Sequence, residues 1–266
     1  MNSFLLFSRK SIEEFPSLEP AQEDILAIMS RFAANNFFSL QEFDHCSLWD
    51  GDETVWTALF QLDSYLQSQG AFKIDIEIPS GATILQPELV SIGAGTVLEP
   101  GVMIQGPCII GKDCLIRHGA LLRGGVICGD GCVIGHASEV KHSILFPKAQ
   151  VAHLNYVGDS ILGARVNLGA GVKCANLRLD RCEISVLDEG VKVKTGLRKF
   201  GSILGDGCQI GCNAVLNPGT VLGPYCVSYP LVNLHGVIPA NSRIKGRSHD
   251  LDIGSVSVEI LEALRK

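Results

Sequence analysis

The chain has 266 residues with a net charge of −6; 46% of them are hydrophobic but only 6% aromatic, and 29 are glycine. Small aliphatic side chains with abundant glycine indicate a repetitive β architecture rather than a helical core. No apolar run approaches the ~18 residues that a membrane span requires, and the apolar stretch within residues 1–10 is too short for a secretory signal. We therefore expect a cytoplasmic protein without membrane contact, and an acidic chain without a long basic stripe argues against nucleic acid as a partner.

Residues 1–80 carry 13 acidic and 4 basic side chains, whereas residues 81–266 carry 15 acidic and 18 basic ones. The first part, with a net charge of −9, is expected to be α-rich, with helices over 20–36 and 53–70. The second helix presents an apolar face made by Trp56, Leu59, Phe60, Tyr65 and Leu66. Both helices are expected to pack against the rest of the chain or a neighbouring subunit. A cap on the open end of the following domain is the favoured role, and substrate binding is the alternative.

Ile74, Ile76 and Ile78 alternate with charged residues and predict a strand that leads into the next domain. At the other end of the chain, residues 255–266 are typical of a short helix.

A period of six residues begins at position 92. Steps of six give Ile92, Leu98, Ile104, Ile110, Ile116, Leu122, Cys128, Ile134 and Val140. The residue four places after each is mostly small: Thr96, Val102, Cys108, Cys114, Ala120, Val126, Cys132, Ser138 and Ile144. The pattern resumes at Leu162 and Leu168, and again at Leu204, Ile210, Leu216 and Leu222. This period predicts a β-helix, in which three hexads form a triangular coil and residues 18 apart stack at about 4.8 Å.

The ten cysteines fall largely on this repeat. With no secretory signal and no CxxC pair, a disulfide framework and a structural zinc site are both disfavoured. Most of the cysteines are expected to be small core residues, so no metal is predicted.

The repeat is interrupted between residues 175 and 200. Ile184 and Val186 precede Asp188-Glu189-Gly190, and Val191 and Val193 follow, which predicts a β-hairpin. The segment ends in a cluster of cations formed by Lys192, Lys194, Arg198 and Lys199. The cluster is either a solvated loop or an arm that reaches a phosphate at a subunit boundary.

Six of the seven histidines are interpreted as structural. His118 and His136, which are 18 residues apart, are expected to stack, while His45, His142, His235 and His249 have no polar constellation nearby. The surroundings of the seventh, His153, are more specific. Arg123, Glu139-Val140-Lys141, His153-Leu154-Asn155-Tyr156-Val157-Gly158-Asp159, Asn167-Leu168-Gly169-Ala170-Gly171 and Lys199-Phe200 follow one another in order.

This series resembles the acetyltransferase domain of the bifunctional glucosamine-1-phosphate acetyltransferase/uridylyltransferases. The resemblance covers residues 119–246, about half the chain. It implies a left-handed parallel β-helix over residues 81–246 with the inserted hairpin at 175–200, between an N-terminal region (1–80) and a C-terminal tail and helix (247–266). It also implies a homotrimer in which a phosphate-binding cleft forms between adjacent prisms.

The resemblance implies a role for each matching residue. His153 is the expected general base, and an imidazole that titrates near pH ~6.5 suits proton transfer from an amine. The amide of Ala170 is expected to stabilise the thioester oxyanion, and Asn176 to contact acetyl-CoA and the amine. The implied substrate residues are Arg123, Lys141, Tyr156, Asn167 and Lys199. The implied residues for acetyl-CoA, the co-substrate, are Ala170, Asn176, Cys212 and Pro230.

The chain also departs from the family. Leu177-Arg178-Leu179 replaces Tyr-Asp-Gly after Asn176, and Cys212 and Pro230 replace Ser and Ala at the coenzyme A site. The longer segment before Lys199 resembles the archaeal-type sugar-1-phosphate nucleotidyltransferases with an acetyltransferase tail. Residues 1–80 hold no glycine-rich nucleotide-binding loop and are too short for a uridylyltransferase domain.

Three functions are therefore open. The first is an N-acetyltransferase acting on an amino-sugar phosphate, with glucosamine-1-phosphate as the favoured substrate, that feeds UDP-N-acetylglucosamine synthesis for the cell envelope. The second is a non-catalytic sugar-phosphate-binding or regulatory subunit of a separate nucleotidyltransferase. The third, a zinc enzyme of the carbonic anhydrase type, depends only on His118 and His136.

Overall fold

The computed structural model describes residues 27, 30–50, 54–70, 72–246 and 252–255. Most of the described chain winds as a left-handed parallel β-helix of about nine turns, so the predicted fold class is confirmed. Its three flat sides are called faces 1, 2 and 3, in the order in which the chain visits them. Where a coil has its regular length, residues 18 apart pair in parallel register, as Ile104 with Leu122 on face 1.

The strands are two to four residues long. Face 1 consists of Thr83–Leu85, Met103–Gln105, Leu121–Arg123, Glu139–Lys141, Tyr156–Gly158, Lys173–Cys174, Val215–Leu216 and Asn233–Leu234. Face 2 consists of Val90–Ile92, Cys108–Ile110, Val126–Cys128, Ser143–Leu145, Ile161–Leu162, Ser202–Leu204, Thr220–Leu222 and Val237–Ile238. Face 3 consists of Val97–Leu98, Leu115–Ile116, Val133–His136, Gln150–His153, Asn167–Leu168, Gln209–Ile210, Val227–Ser228, Ser242–Lys245 and the antiparallel Asp252–Ser255.

The first position of every hexad from Ile92 to Val140, and from Leu204 to Leu222, is buried inside the prism. Small residues fill the fifth positions, and seven of the ten cysteines are buried there or on the first positions. Each large aliphatic side chain buried in this way contributes roughly 1.5–3 kcal/mol. The predicted core is therefore confirmed, with the exception of Ile144.

Ile144 points out of the prism, contrary to the prediction. Face 2 pairs Ser143 with Val126 and Ile144 with Ile127, a spacing of 17 residues instead of 18. Because one residue is missing from the corner at His142, Ser143 occupies the interior position that takes a small side chain. Leu145 then occupies the interior position that takes an aliphatic side chain. Ile144 then joins a second core outside the prism.

This second core forms where the N-terminal region covers face 2. One residue at the equivalent position of each of five face-2 strands points outward into it: Ile127, Ile144, Ile161, Ile203 and Val221. Phe146 stacks between Phe38 and Phe43, with ring centroids at 4.5 and 4.2 Å. The covering segment contains helix α1, Thr57–Ser68, and short 3-10 helices at Ala34–Asn36, Leu40–Glu42 and Cys46–Trp49, with a further one at Pro87–Leu89 within the first coil.

The N-terminal predictions hold in part. The described N-terminal region packs on the side of the prism and not on its end, because the outward-facing residues of face 2 are themselves apolar. Helix α1 lies within the second predicted helix, and most of the first predicted helix lies outside the described residues. Phe60, placed on the apolar face, is 75% exposed, whereas Ala58 and Leu62 are buried.

The open end of the prism is covered by a different segment. Ile74 forms a single parallel bridge with Ile92, and Ile76 and Ile78 pack partly buried against the prism core. The predicted strand over these residues is therefore reduced to one bridge.

The interruption of the repeat contains a hairpin of Ser185–Asp188 and Val191–Lys194. Its two-residue turn, Glu189-Gly190, has positive φ at both positions, which matches the right-handed twist of the flanking strands. Val186 of the hairpin is buried in the second core, and Asp188 pairs with Arg31 at 3.0 Å. The predicted C-terminal helix lies outside the described residues, apart from Ser255, which ends a strand. The division of the chain into domains stays a prediction.

Candidate functional site

The corner between faces 3 and 1 carries a column of predicted catalytic and coenzyme A residues. His153 pairs with His136, and backbone hydrogen bonds then align Ala170 with His153, Cys212 with Ala170, and Pro230 with Cys212. These positions follow one another at the spacing of neighbouring strands, about 4.8 Å. The structure therefore brings His153, Ala170, Cys212 and Pro230 into one line, which we call the corner column.

His153 is exposed, and its imidazole makes no hydrogen bond to any described residue. Its backbone N–H donates to Oδ1 of Asn155 at 2.9 Å, and Nδ2 of Asn155 donates to the Gly169 carbonyl at 2.7 Å. The buried Asn155 side chain thus ties the turn that carries His153 to the next turn, which carries Ala170. Asn155 lies inside the quoted motif, but no role was predicted for it.

The backbone N–H of Ala170 has no acceptor within the described part of the chain, and the residue is half-buried. At Gly169, a Cβ would come within 2.7 Å of the Cys212 nitrogen, so only glycine allows the two coils to approach this closely. A half-buried amide without an acceptor is the kind of donor that can stabilise a developing oxyanion.

The strand ends at the corner between faces 1 and 2 line an open cleft of about 370 Å³. Arg123 and Lys141 line it from face 1, and Lys199 reaches it from the end of the inserted segment. Asp63 of α1 also lines it. The structure therefore brings three of the five predicted substrate residues together in what we call the cation cleft.

Asp159 organises the base of the cation cleft. Its carboxylate, 6% exposed, accepts a hydrogen bond from Nζ of Lys141 at 2.9 Å and another from Nδ2 of Asn176. Burial alone would raise the pKa of Asp159, but its contact with His142 and its hydrogen bonds from Lys141 and Asn176 outweigh burial and hold that pKa below its usual range. Asp159 is the last residue of the quoted histidine motif, but no function was predicted for it.

Tyr156 and Asn176 join the same network. The Tyr156 hydroxyl donates to Oδ1 of Asn176 at 3.4 Å, and burial raises the pKa of Tyr156. A Cβ at Gly158 would lie 2.7 Å from both side chains, so this glycine provides the space for their contact. Asn176 is thus placed beside Asp159 and not on the corner column.

Two predicted substrate residues, Arg123 and Asn167, differ from Lys141 and Lys199 in their contacts or position. Arg123 donates to Oε1 of Glu139 at 2.6 Å, so its charge is already paired. Asn167 lies in a face-3 strand, on the other side of the corner column from Tyr156. Within one chain, therefore, Asn167 does not join the cation cleft.

The prediction that His142 has no polar surroundings is wrong. Its Nδ1 lies 3.2 Å from Oδ1 of Asp159, and its Nε2 lies 3.6 Å from Oδ1 of Asp63. No sequence signal pointed to Asp63, which is 79 positions away, but the adjacent Lys141 was a clue that position 142 faces the same cleft.

The remaining predictions concern the hairpin cations and the histidine pair. Lys192 and Lys194 are exposed, so the solvated interpretation applies to them, whereas Lys199 reaches the cation cleft. His118 and His136 stack with ring centroids 5.8 Å apart, as predicted. Within the described ranges, no three His, Cys, Asp or Glu side chains are grouped to hold a metal ion. Likewise, no helix in the described ranges is long and apolar enough to cross a membrane.

Residues 104–199 match the family model described as the GMPPB C-terminal domain. A bifunctional sugar-1-phosphate nucleotidylyltransferase/acetyltransferase of Sulfurisphaera tokodaii is 40% identical over 92 residues, 35% of this chain and 23% of that protein. The bifunctional protein GlmU of Methanococcus maripaludis is 42% identical over 87 residues, 33% of this chain and 21% of that protein. The matched part of the chain thus spans less than a quarter of the length of these relatives.

A longer match joins the chain to YaiX of Escherichia coli, described as an uncharacterized acetyltransferase. The two are 34% identical over 154 residues, 58% of this chain and 66% of that protein. Among solved structures, a UDP-N-acetylglucosamine acyltransferase of Francisella novicida superposes with a TM-score of 0.46 at 14% identity, over 73% of this chain and 71% of that one.

Proposed function

Because residues 104–199 form a hexapeptide-repeat domain similar to the acetyltransferase part of these bifunctional enzymes, we propose that the chain is an N-acetyltransferase. It transfers the acetyl group of acetyl-CoA to the amine of an amino-sugar phosphate, with glucosamine-1-phosphate as the first candidate. The observation that carries the proposal is the pairing of the corner column with a cation cleft at the other edge of face 1. The corner column supplies a base and a free amide, and the cation cleft supplies charges for a phosphate.

In this reaction His153 takes a proton from the sugar amine as the nitrogen attacks the thioester carbonyl. A C–N bond forms, the C–S bond breaks, and coenzyme A leaves as a thiolate that takes up the proton held by His153 and becomes the thiol. The Ala170 amide donates to the carbonyl oxygen while it carries negative charge. Cys212 and Pro230, next along the corner column, line the path of the coenzyme.

The phosphate of the substrate binds in the cation cleft. Lys141 and Lys199 provide charge-assisted hydrogen bonds to the phosphate. Arg123 does so after its ion pair with Glu139 is replaced by one with the phosphate. Asp159 keeps Lys141 extended into the cleft, and Tyr156 with Asn176 contacts the sugar between phosphate and amine.

We further propose that the active protein is a homotrimer in which the cation cleft of one copy faces the corner column of the next. Exposed apolar side chains beside the corner column support this arrangement, namely Leu154 next to His153, and Tyr229 and Leu231 around Pro230. Asn167, on face 3, would then contact substrate held by the neighbouring copy.

The test measures acetylated product by mass spectrometry, because exposed Cys182 and Cys212 would interfere with a thiol assay. Purified protein with acetyl-CoA and glucosamine-1-phosphate is compared with the His153→Ala variant. We expect a loss of roughly 10²–10⁴-fold, the usual contribution of a general base. His136→Ala is the matched control, since it removes the neighbouring histidine of the same column and is expected to retain activity.

Wild-type activity in His153→Ala would refute the assignment of the base. Co-expressed His153→Ala and Lys141→Ala chains test the shared site, because a mixed trimer regains one intact site from two defective copies. No turnover with any amino-sugar phosphate would instead favour the second candidate, a sugar-phosphate-binding subunit that acts with a nucleotidyltransferase. The altered residues Cys212 and Pro230 are the observation that favours it.

A further inference from the structure

His142 stands at the corner between faces 1 and 2 with a left-handed backbone, at φ 44°. Its imidazole lies over Gly125, where a Cβ would come 3.0 Å from the ring carbon Cδ2. The side chain is 25% exposed, and the exposed part lines the cation cleft. The corner is therefore shaped to hold an imidazole in the cleft wall.

Both ring nitrogens of His142 face carboxylates. Nδ1 lies 3.2 Å from the buried Asp159, which also binds Lys141 through its other oxygen. Nε2 lies 3.6 Å from Asp63, which is 68% exposed and belongs to α1 rather than to the β-helix. The Nδ1 contact with Asp159 lacks hydrogen-bond geometry, and Nδ1 is buried without a hydrogen-bond partner among the described residues. Asp63, by contrast, is a solvated carboxylate at ion-pair distance from Nε2.

We propose that His142 is a further ligand of the phosphate that enters the cation cleft, and that Asp63 is the protein's own competing anion. A protonated imidazole keeps Nδ1 beside Asp159 and donates Nε2–H to a phosphate oxygen. Asp63 lies within ion-pair distance of Nε2 but beyond hydrogen-bond distance, so the phosphate competes with it for the charge of the imidazolium and displaces the exposed Asp63 side chain into solvent. The identity of the natural ligand rests on the proposed function; the competition itself does not.

The competition makes anion binding depend on pH. The charged groups around His142 are Asp159 and Lys141 on the β-helix and Asp63 on α1, and Arg123 and Lys199 line the same cleft. A protonated imidazole attracts an anion and donates from both nitrogens, whereas a neutral imidazole donates from only one. The affinity for an anion is therefore expected to be lower at about pH 8 than at about pH 5.

The experiment is calorimetric titration of the full chain with sulfate, which keeps both charges across this pH range, and with glucosamine-1-phosphate. We expect His142→Asn to weaken sulfate binding roughly tenfold or more at pH 6, the loss of one charge-assisted hydrogen bond. Asp63→Asn is expected to strengthen it several-fold. Asp75→Asn, which removes an equal charge next to Lys73 outside the cleft, is the matched control and leaves the affinity unchanged.

Opposite effects of the two variants distinguish ligand binding from a structural role. If both substitutions weaken sulfate binding, or if Asp63→Asn has no effect, the competition is overturned. If the pH dependence survives in His142→Asn and in a second variant, His142→Gln, then His142 is not the titrating ligand. Sulfate binding needs no acetyl-CoA, so a protein that shows both effects but no acetyl transfer contradicts the proposed function and leaves this inference intact.

Discussion

The Asp159→Asn substitution would remove one buried charge that is paired with Lys141 and lies beside His142. Asp159 is 6% exposed and Lys141 17% exposed, with 2.9 Å between their charged atoms. Breaking a buried pair by removing one partner costs about 3–5 kcal/mol, because the remaining charge stays desolvated. Since Lys141 retains some contact with solvent, we expect the lower end of this range, about 3 kcal/mol.

For a domain of this size, a loss of about 3 kcal/mol lowers the melting temperature by roughly 6–12 °C. The loss should also depend on pH. The folded pKa of Asp159 lies below its usual value, so its stabilisation is present above the unfolded pKa of about 4 and disappears as the pH falls through the folded value. The wild type and Asp159→Asn should therefore differ fully at pH 7 and differ less at pH 3.

Differential scanning calorimetry at the two pH values measures both effects. Asp180→Asn is the control, because Asp180 is paired with Arg178 in solvent, and its loss should leave the melting temperature nearly unchanged. A melting temperature of Asp159→Asn within about 2 °C of the wild type at pH 7, or an undiminished gap at pH 3, would refute the assignment of a buried, charge-stabilising Asp159.

Two further predictions concern the second core and the thiols. Phe146→Ala removes a fully buried ring that stacks on Phe43 at 4.2 Å, and we expect the free energy of unfolding to fall by about 3–5 kcal/mol. Limited proteolysis of this variant should cut the N-terminal region first. The control, Phe60→Ala, removes an exposed ring and should melt like the wild type. Iodoacetamide at pH 8 should label exposed Cys182 and Cys212 quickly and half-buried Cys46 slowly, with the other seven cysteines labelled only after denaturation. Burial raises the pKa of Cys174 to about 12, so rapid labelling of Cys174 in the native protein would contradict the packing described above.

The six-residue period predicted the prism because each hexad reports one repeated local environment. Ile92, Leu122 and Leu216 are far apart in sequence but occupy equivalent positions, so spacing alone predicted their burial. Ile144 was wrongly predicted to point into the prism because one residue is missing from the corner at His142. A fixed step of six cannot detect a coil of 17 residues.

The motif that resembles the acetyltransferase family predicted residues of the corner column and the cation cleft, but not the contacts between elements. Asp159 lies in the motif, yet its role depends on Lys141 and Asn176, which reach it from neighbouring coils. The contact between His142 and Asp63 joins segments with no shared period, so no local pattern could predict it. The outward-facing isoleucines of face 2 could have predicted that this face is covered by another part of the chain.

The covering of face 2 has a consequence for the cleft on the neighbouring edge. Helix α1 is held on the prism by buried Leu59, Leu62 and Leu66, and this docking places Asp63 opposite His142. The apolar contacts fix the position of α1, whereas the 3.6 Å contact at its exposed edge contributes little to that docking. The N-terminal region can therefore vary the charge it presents to the cation cleft without loss of its own packing, and so it lines the proposed binding site as well as covering the β-helix.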